Sequence, residues 1–198
     1  MTSRTGQRYT VGAMRQLSTR QVYVNPWMVV REDHIRRSDG SDGIYGVIDK
    51  PDYALIVPAD GDRLHLVEQF RYPLGLRRWE FPQGTAPDRA DAEPLELASR
   101  ELREETGLRA ARMTQIGTLD VAPGMSSQRG RVFLATELTE GAPERELTEQ
   151  DMRTAWFHRD QVVEMIQRGE ITDAQSIAAL GLLLLHEQRE NTYRQERR

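Results

Sequence analysis

The sequence of 198 residues reads as an α+β fold. Strand-type patterns fill the first 75 residues, one well-capped helical pattern stands in the middle, and helices take over after a second group of strands. No stretch repeats at a fixed period, and no low-complexity linker divides the chain. The length suits one domain, or one domain carrying a short arm.

Residues 21–35 carry the apolar and β-branched Val22, Val24, Trp27, Val29 and Val30, and Ser38-Asp39-Gly40 supplies a turn before a second strand over 44–48. A hairpin follows, with strands at 54–58 and 64–70 joined by Asp60-Gly61-Asp62; Leu64, Leu66 and Phe70 are expected on one face. Residues 95–106 predict a helix. Pro94 suits its first position, Leu95, Ala98 and Leu102 recur at three and four residues, and Gly107 can close it in a left-handed cap. Strands are expected at 132–138 and 154–157, separated by a Glu-rich loop over 139–151. A helix over 160–168 stops at Gly169. The last helix starts at Thr172, whose pairing with Gln175 reads as a capping box, and a frayed polar tail follows His186.

Composition excludes several classes of function. Hydrophobic residues at 38% are enough for a buried core, so general disorder is ruled out. Charges of 27 basic against 31 acidic residues are mixed along the chain, which announces no nucleic-acid-binding patch. With no cysteine there are no disulfides, thiolate zinc sites or cysteine nucleophiles, and the four histidines show no zinc spacing. A metal here would be hard and held by oxygen. The apolar run over 177–185 is about half of what a membrane-spanning helix needs. The first 20 residues lack the apolar block of a secretory signal, so a cytoplasmic location is expected.

Chemistry concentrates in Arg100-Glu101-Leu102-Arg103-Glu104-Glu105-Thr106-Gly107-Leu108. Residues three and four apart are helical neighbours, so Glu101, Glu104 and Glu105 crowd together. Two unit charges about 4 Å apart repel by about 4 kcal/mol at an effective dielectric near 20, so the cluster calls for a cation. Mg²⁺ typically takes one or two carboxylates and completes its shell with water and phosphate oxygens, which points to a phosphate ester or anhydride as substrate. The competing reading is a solvated helix face in which Arg100 neutralises its neighbours.

This string resembles the signature of the Nudix hydrolase family: Gly, five residues, Glu, seven residues, then Arg-Glu-apolar-any-Glu-Glu-any-Gly-apolar. The second half matches at every position from Arg100 to Leu108, and Glu80-Phe81-Pro82-Gln83-Gly84 leads into it. The first half is two residues longer, and Glu93 stands one step after the expected Glu position, which holds Ala92. Over residues 20–188 the chain is similar to the ADP-ribose pyrophosphatase branch, through Val67-Glu68-Gln69-Phe70-Arg71-Tyr72-Pro73, Trp79-Glu80-Phe81-Pro82 and Ala122-Pro123-Gly124-Met125-Ser126.

The resemblance implies an α/β/α sandwich with a mixed sheet: an N-terminal antiparallel β-arm over 1–50, exchanged in a homodimer, the hydrolase domain over 51–188 and a polar tail over 189–198. It implies Mg²⁺, with Mn²⁺ as the alternative, held by Glu101, Glu104, Glu105 and the main-chain carbonyl of Gln83, with Arg100, Gly84 and Gly107 shaping the motif. A glutamate of the 139–151 loop would act as base; of Glu140, Glu144, Glu146 and Glu149 we take Glu149, with Glu105 as the fallback. Arg71, Glu80, Trp27 and Met125 are substrate-binding candidates. Arg71 is equally able to pair with Glu80, and Trp27, Tyr45 and Tyr72, as strand aromatics, are expected in the core more often than under a nucleobase. The turn 169–174 is read as structural. The implied reaction is hydrolysis of ADP-ribose or a related nucleotide sugar to a nucleoside monophosphate and a sugar phosphate. A catalytically weak nucleotide sensor and a partner-binding protein are the alternatives.

Overall fold

A computed structural model describes residues 14–90, 92–145 and 150–197. The chain divides into two compact units. The first gathers the chain up to Pro51 together with the loops 87–90 and 120–128; the second holds the rest.

In the first unit β1 (Met14–Val24), β2 (Val29–Arg37) and β3 (Asp42–Asp49) form an antiparallel meander in that order. The strand expected over 21–35 is broken at Asn25, whose side-chain oxygen accepts from the main-chain N–H groups of Trp27 (2.9 Å) and Met28 (2.8 Å). That turn offers the backbone an alternative to the ladder, and Pro26 has no N–H to give it. The loop 120–128 is tied to β3, because Ile48 N–H donates to the Met125 carbonyl and the Tyr45 hydroxyl to that of Gly124, both at 2.8 Å. Arg31 bridges Asp33 and Asp49. Burial pushes the Asp33 carboxyl up, but hydrogen bonds from Arg31, Thr19 and Gln16 outweigh it and hold the group below the usual carboxylate range. Every residue of β1 is exposed, and Ile35 is the only buried hydrophobic residue among the described residues of this unit.

The second unit holds β4 (Tyr53–Asp60), β5 (Arg63–Arg71), β6 (Leu76–Glu80), β7 (Gln83–Thr85), α1 (Pro94–Thr106), β8 (Arg109–Asp120), β9 (Arg129–Thr139), β10 (Arg153–His158), α2 (Arg159–Gln167) and α3 (Ala174–Glu196). Its sheet runs β10-β5-β4-β9-β8, with β6 on β5 and β7 on β4. The sheet is mixed, because β4 and β9 pair in parallel while β10-β5, β5-β6 and β4-β7 are antiparallel. Strand β4 is central and buried from Tyr53 to Ala59. Its Ala54 and Ile56 share a core with Leu97, Ala98 and Leu102 of α1 and Phe133 and Ala135 of β9. Leu55 and Val57 alternate to the other face and are equally buried, and α3 packs against β4 and β9. The layers are therefore helix, sheet, helix.

The caps explain where α1 begins and ends. Glu93 accepts from Leu95 N–H at 2.9 Å, Pro94 occupies the first turn, and Gly107 closes the helix at φ 77°. A Cβ at Gly107 would lie 2.2 Å from the Gly141 carbonyl oxygen, so both conformation and space require glycine. Leu95, expected on the apolar stripe, is exposed, and Leu97 takes its place in the core. Phe70 is likewise exposed where Leu64 and Leu66 are buried. The last helix is capped by Asp173, whose carboxylate accepts from Ser176 N–H (2.8 Å) and Oγ (2.7 Å), one residue after the predicted Thr172. It runs to Glu196, through the segment expected to fray. Strands β6, β7 and β8 were not legible: β7 spans three residues, and the charges of β6 and β8 mask their alternation.

One buried polar group carries a pH dependence. His65 of β5 lies opposite Trp156 of β10, ring edge to face at 4.8 Å, and its Nδ1 has no hydrogen-bond partner among the described residues. Burial lowers its pKa to about 4. The unfolded chain takes up this proton near pH 6.5 and the folded chain does not, so stability present above pH 6.5 is lost as the pH falls toward 4, by on the order of 3 kcal/mol in all. We expect the denaturant midpoint to fall between pH 6.5 and 5, and His65→Phe to flatten that slope; an equal slope in the variant would show that another group carries it.

Candidate functional site

The C-terminal half of α1 presents its carboxylates to the segment that enters and forms β7. Glu101 and Glu105 are buried, at 6% and 1% exposure. Glu105 Oε2 accepts from Gln83 N–H at 3.1 Å. A Cβ on Gly84 would lie 2.2 Å from Glu101 Oε2, so the missing side chain is what lets this carboxylate close onto β7. Glu104 is more open. Arg100 bridges the two, at 3.1 Å from Glu101 and 3.5 Å from Glu104. Little more than one turn of helix thus sets Glu101 and Glu105 against Gln83 and Gly84, with Glu104 joined to Glu101 through Arg100.

The described part of the acidic loop is anchored to the same end of α1. Glu144 N–H donates to the Glu104 carbonyl (3.0 Å), Arg145 Nε to the Glu105 carbonyl (3.2 Å), and the Glu144 carboxylate pairs with Arg103 and Arg109. Glu144 is thereby committed to ion pairs, and Glu140 is exposed. Glu146 and Glu149 lie outside the described residues.

A cleft of about 420 Å³ adjoins, lined by residues of β5, β6, β7, the 3₁₀ turn Tyr72–Leu74 and the start of α3. Antiparallel pairing of β5 with β6 sets Gln69 opposite Arg78 and Val67 opposite Glu80, so Gln69, Arg71, Arg78 and Glu80 share one face. Glu80 is 1% exposed and receives a two-pronged bond from Arg71, Nη2 at 2.6 Å and Nε at 3.2 Å. Burial pushes the Glu80 carboxyl up, and Arg71 pulls against it. Gln83 links cleft and helix: its N–H meets Glu105, and its side chain reaches Asp173 at 3.3 Å.

The structure brings Glu101, Glu104, Glu105, Gln83, Gly84 and Arg100 together and puts Arg71 and Glu80 in the adjoining cleft. Trp27 and Met125 belong to the first unit, where both are exposed, Trp27 at 70%. The expectation that Trp27, Tyr45 and Tyr72 pack in a core is corrected, since all three are exposed; Trp27 and Tyr72 sit in turns, where no second sheet covers them. Sequence reading missed Arg78, which lines the cleft, and took the turn 169–174 as structural although Thr172, Asp173 and Ala174 also line it. Recognising β6 as a strand would have placed Arg78 on the face of Glu80.

Among the described residues, no three His, Asp or Glu side chains converge into a finished metal cage. The donors at the end of α1 are nevertheless all oxygen, two carboxylates being buried and one partly open. That set fits a hard divalent cation that keeps water and takes substrate oxygens. No helix among the described residues is long and apolar enough to cross a membrane.

Comparison with known proteins places this geometry in a family. The family model of the nucleoside diphosphate sugar hydrolase N-terminal domain matches residues 14–48, and that of the NUDIX domain matches residues 49–180. An ADP-ribose pyrophosphatase of Mycobacterium tuberculosis is 35% identical over 86% of this chain and 82% of its own length. One from Bacillus subtilis is 32% identical over 68% and 72%. The crystal structure of an ADP compounds hydrolase superposes with a TM-score of 0.79 at 20% identity, covering 92% of this chain and 98% of that one, which supports the fold. Nudix hydrolases generally use a divalent metal, and the carboxylate-bearing end of α1 and the strand it faces lie within the matched span. The chain belongs to the Nudix hydrolase family.

Proposed function

We propose that the protein is a Mg²⁺-dependent diphosphatase acting on ADP-ribose or a related nucleotide sugar in the cytoplasm, with Mn²⁺ as an alternative ion. The observation that carries this reading is the closure of Glu101 and Glu105 onto Gln83 and Gly84 beside an arginine-bearing cleft. ADP-ribose would give AMP and ribose 5-phosphate.

Glu101, Glu104, Glu105 and the Gln83 carbonyl would hold the divalent ion, which when bound supplies the positive charge that diphosphate cleavage demands. Arg100 fixes the orientation of Glu101 and Glu104. Glu149 would take the proton of the attacking water, with Glu105 as the alternative base. The Arg71 and Glu80 pair shapes the cleft wall, while Trp27 and Met125 remain candidates for contacts to the nucleoside.

We also infer a homodimer in which the amino-terminal arm is covered by a second copy. Met14, Leu17, Val22, Tyr23, Val24 and Ile44 are exposed on a sheet with almost no core of its own. Sedimentation at micromolar concentration should give about twice the chain mass, and charged replacements at Val22 and Val24 should return the monomer; a wild-type monomer would defeat this inference.

Glu105→Gln keeps the shape and the acceptor for Gln83 N–H but removes the charge. We expect turnover of ADP-ribose to fall by about 100- to 1000-fold, as losing a ligand of a catalytic metal does, with the circular dichroism spectrum unchanged. Magnesium at about 100 times its Kd should add about 2.7 kcal/mol to wild-type stability and less to the variant. Undiminished turnover in the variant would remove Glu105 from the machinery, and tight binding of ADP-ribose with no product from the wild type would favour the sensor reading.

A further inference from the structure

Phe81-Pro82-Gln83, the segment that enters β7, is bonded to the end of α1 and also to the first turn of α3. Toward α1, Gln83 N–H donates to Glu105 Oε2 at 3.1 Å. Toward α3, Phe81 N–H donates to Ser176 Oγ at 2.9 Å and Gln83 Nε2 to Asp173 Oδ2 at 3.3 Å, the same amide nitrogen standing 3.5 Å from Glu80 Oε2. Pro82 between them has no N–H to give, and its carbonyl accepts from Ile56 N–H of β4 at 2.9 Å. Three residues are thus held by both helix layers and by the central strand.

The bonds on the α3 side exceed what starting a helix requires. Capping needs only that Asp173 accept from Ser176 N–H, which it does at 2.8 Å. The Ser176 hydroxyl donates its one proton to the same carboxylate oxygen at 2.7 Å, so toward Phe81 its Oγ can act only as an acceptor. Ser176 and Phe81 are 2% and 1% exposed, and without that Oγ the Phe81 N–H would be buried with no acceptor in its place. The Gln83 amide answers a second need. Burial raises the Glu80 carboxyl, and the charge of Asp173 raises it further; a neutral amide offering N–H to both acids joins two groups that otherwise repel.

We propose that Asp173, Ser176 and the Gln83 side chain are positioning residues of the metal site: through Phe81 and Gln83 they fix the main chain whose N–H meets Glu105 and whose carbonyl is a candidate ligand. The proposal rests on the reading of the end of α1 as the seat of a divalent ion, and it adds a support from the opposite helix layer. Strand β7 spans only three residues, so its ladder with β4 alone gives position 83 little resistance to rotation about its backbone. Partners that orient a ligand without touching the metal set its affinity, because a ligand free to turn loses entropy when it binds.

The test compares wild type with Gln83→Met, which keeps the main-chain N–H and removes the amide, and Ser176→Ala, which keeps the capping N–H and removes Oγ. Leu183→Ala, a buried apolar deletion in α3, controls for lost stability. With Mn²⁺ as the probe and no substrate present, electron paramagnetic resonance of the free ion should show binding weakened by about 10- to 100-fold in Gln83→Met and Ser176→Ala, and by less than about threefold in Leu183→Ala. In the metal-free protein, hydrogen exchange of the amide at position 83 should quicken by about tenfold in the first two variants while that of Val57 holds. Turnover of ADP-ribose by both should recover as the metal is raised. Should Ser176→Ala fail to fold, Gln83→Met carries the test by itself. Equal Mn²⁺ affinity in wild type and Gln83→Met, or an equal loss in Leu183→Ala, would overturn the proposal and leave the metal site standing. Mn²⁺ bound by none of the proteins would overturn both readings. Weakened binding in the two variants of a protein that does not cleave ADP-ribose would keep the positioning role and defeat the substrate reading.

Discussion

Burying carboxylates beside one another is the constraint that the second unit is built around. Glu80, Glu101 and Glu105 are all at or below 6% exposure and all border the short segment containing Gln83 and Gly84. A buried charge costs several kcal/mol unless it is met by an opposite charge or well-placed donors. Each of the three is met differently. Glu80 receives a guanidinium from the neighbouring strand, Glu101 one from the preceding residue of its own helix, and Glu105 a main-chain N–H. The first solution is a two-pronged ion pair, the second shares one guanidinium with Glu104, and the third includes a main-chain N–H. All three carboxylates thus meet at the segment that joins the cleft to the end of α1.

That arrangement depends on how β4, β7 and α1 are pinned together. Ala54 and Ile56 give α1 a close apolar seat, and pairing of β4 with β7 fixes Gln83 and Gly84 opposite Leu55 and Ala54. A shift of one residue in that pairing would turn every side chain of β7 to the other face and move Gly84 from beneath Glu101. Gly107 ends the helix two residues beyond Glu105, and the root of the acidic loop docks there on the Glu104 and Glu105 carbonyls. The helix end is consequently fixed from both sides.

Much of this was legible in the sequence for identifiable reasons. Pro94, the stripe of Ala98 and Leu102, and Gly107 defined α1 because caps and periodicity are local. The carboxylate cluster followed from helical spacing alone. Legibility failed where an outcome is decided by a distant partner. Strand β6 has charges at three of its five positions, and only pairing with β5 makes it a strand. Leu95 fits the apolar spacing, yet Leu97 faces the sheet, because the angle at which α1 lies on β4 is set by side chains not written in the helix. Tyr45 followed the same rule: a strand aromatic enters a core only where a second layer covers it, and among the described residues β1, β2 and β3 have no such layer within their own unit.

Arg71 and Arg78 show how far residue type can carry a functional argument. Both are arginines and both stand on the same face of the β5 and β6 ladder, although the sequence pointed only to Arg71. Only Glu80 tells them apart, and its influence comes from burial. A carboxylate left in water would release Arg71 readily, whereas one enclosed by the sheet holds its counter-ion because losing it leaves an uncompensated charge. Thr172 performs the opposite service for Arg78, fixing the fork through a neutral oxygen without diminishing its charge. Two side chains from distant parts of the chain, Glu80 and Thr172, thus set the positions of the two guanidinium groups.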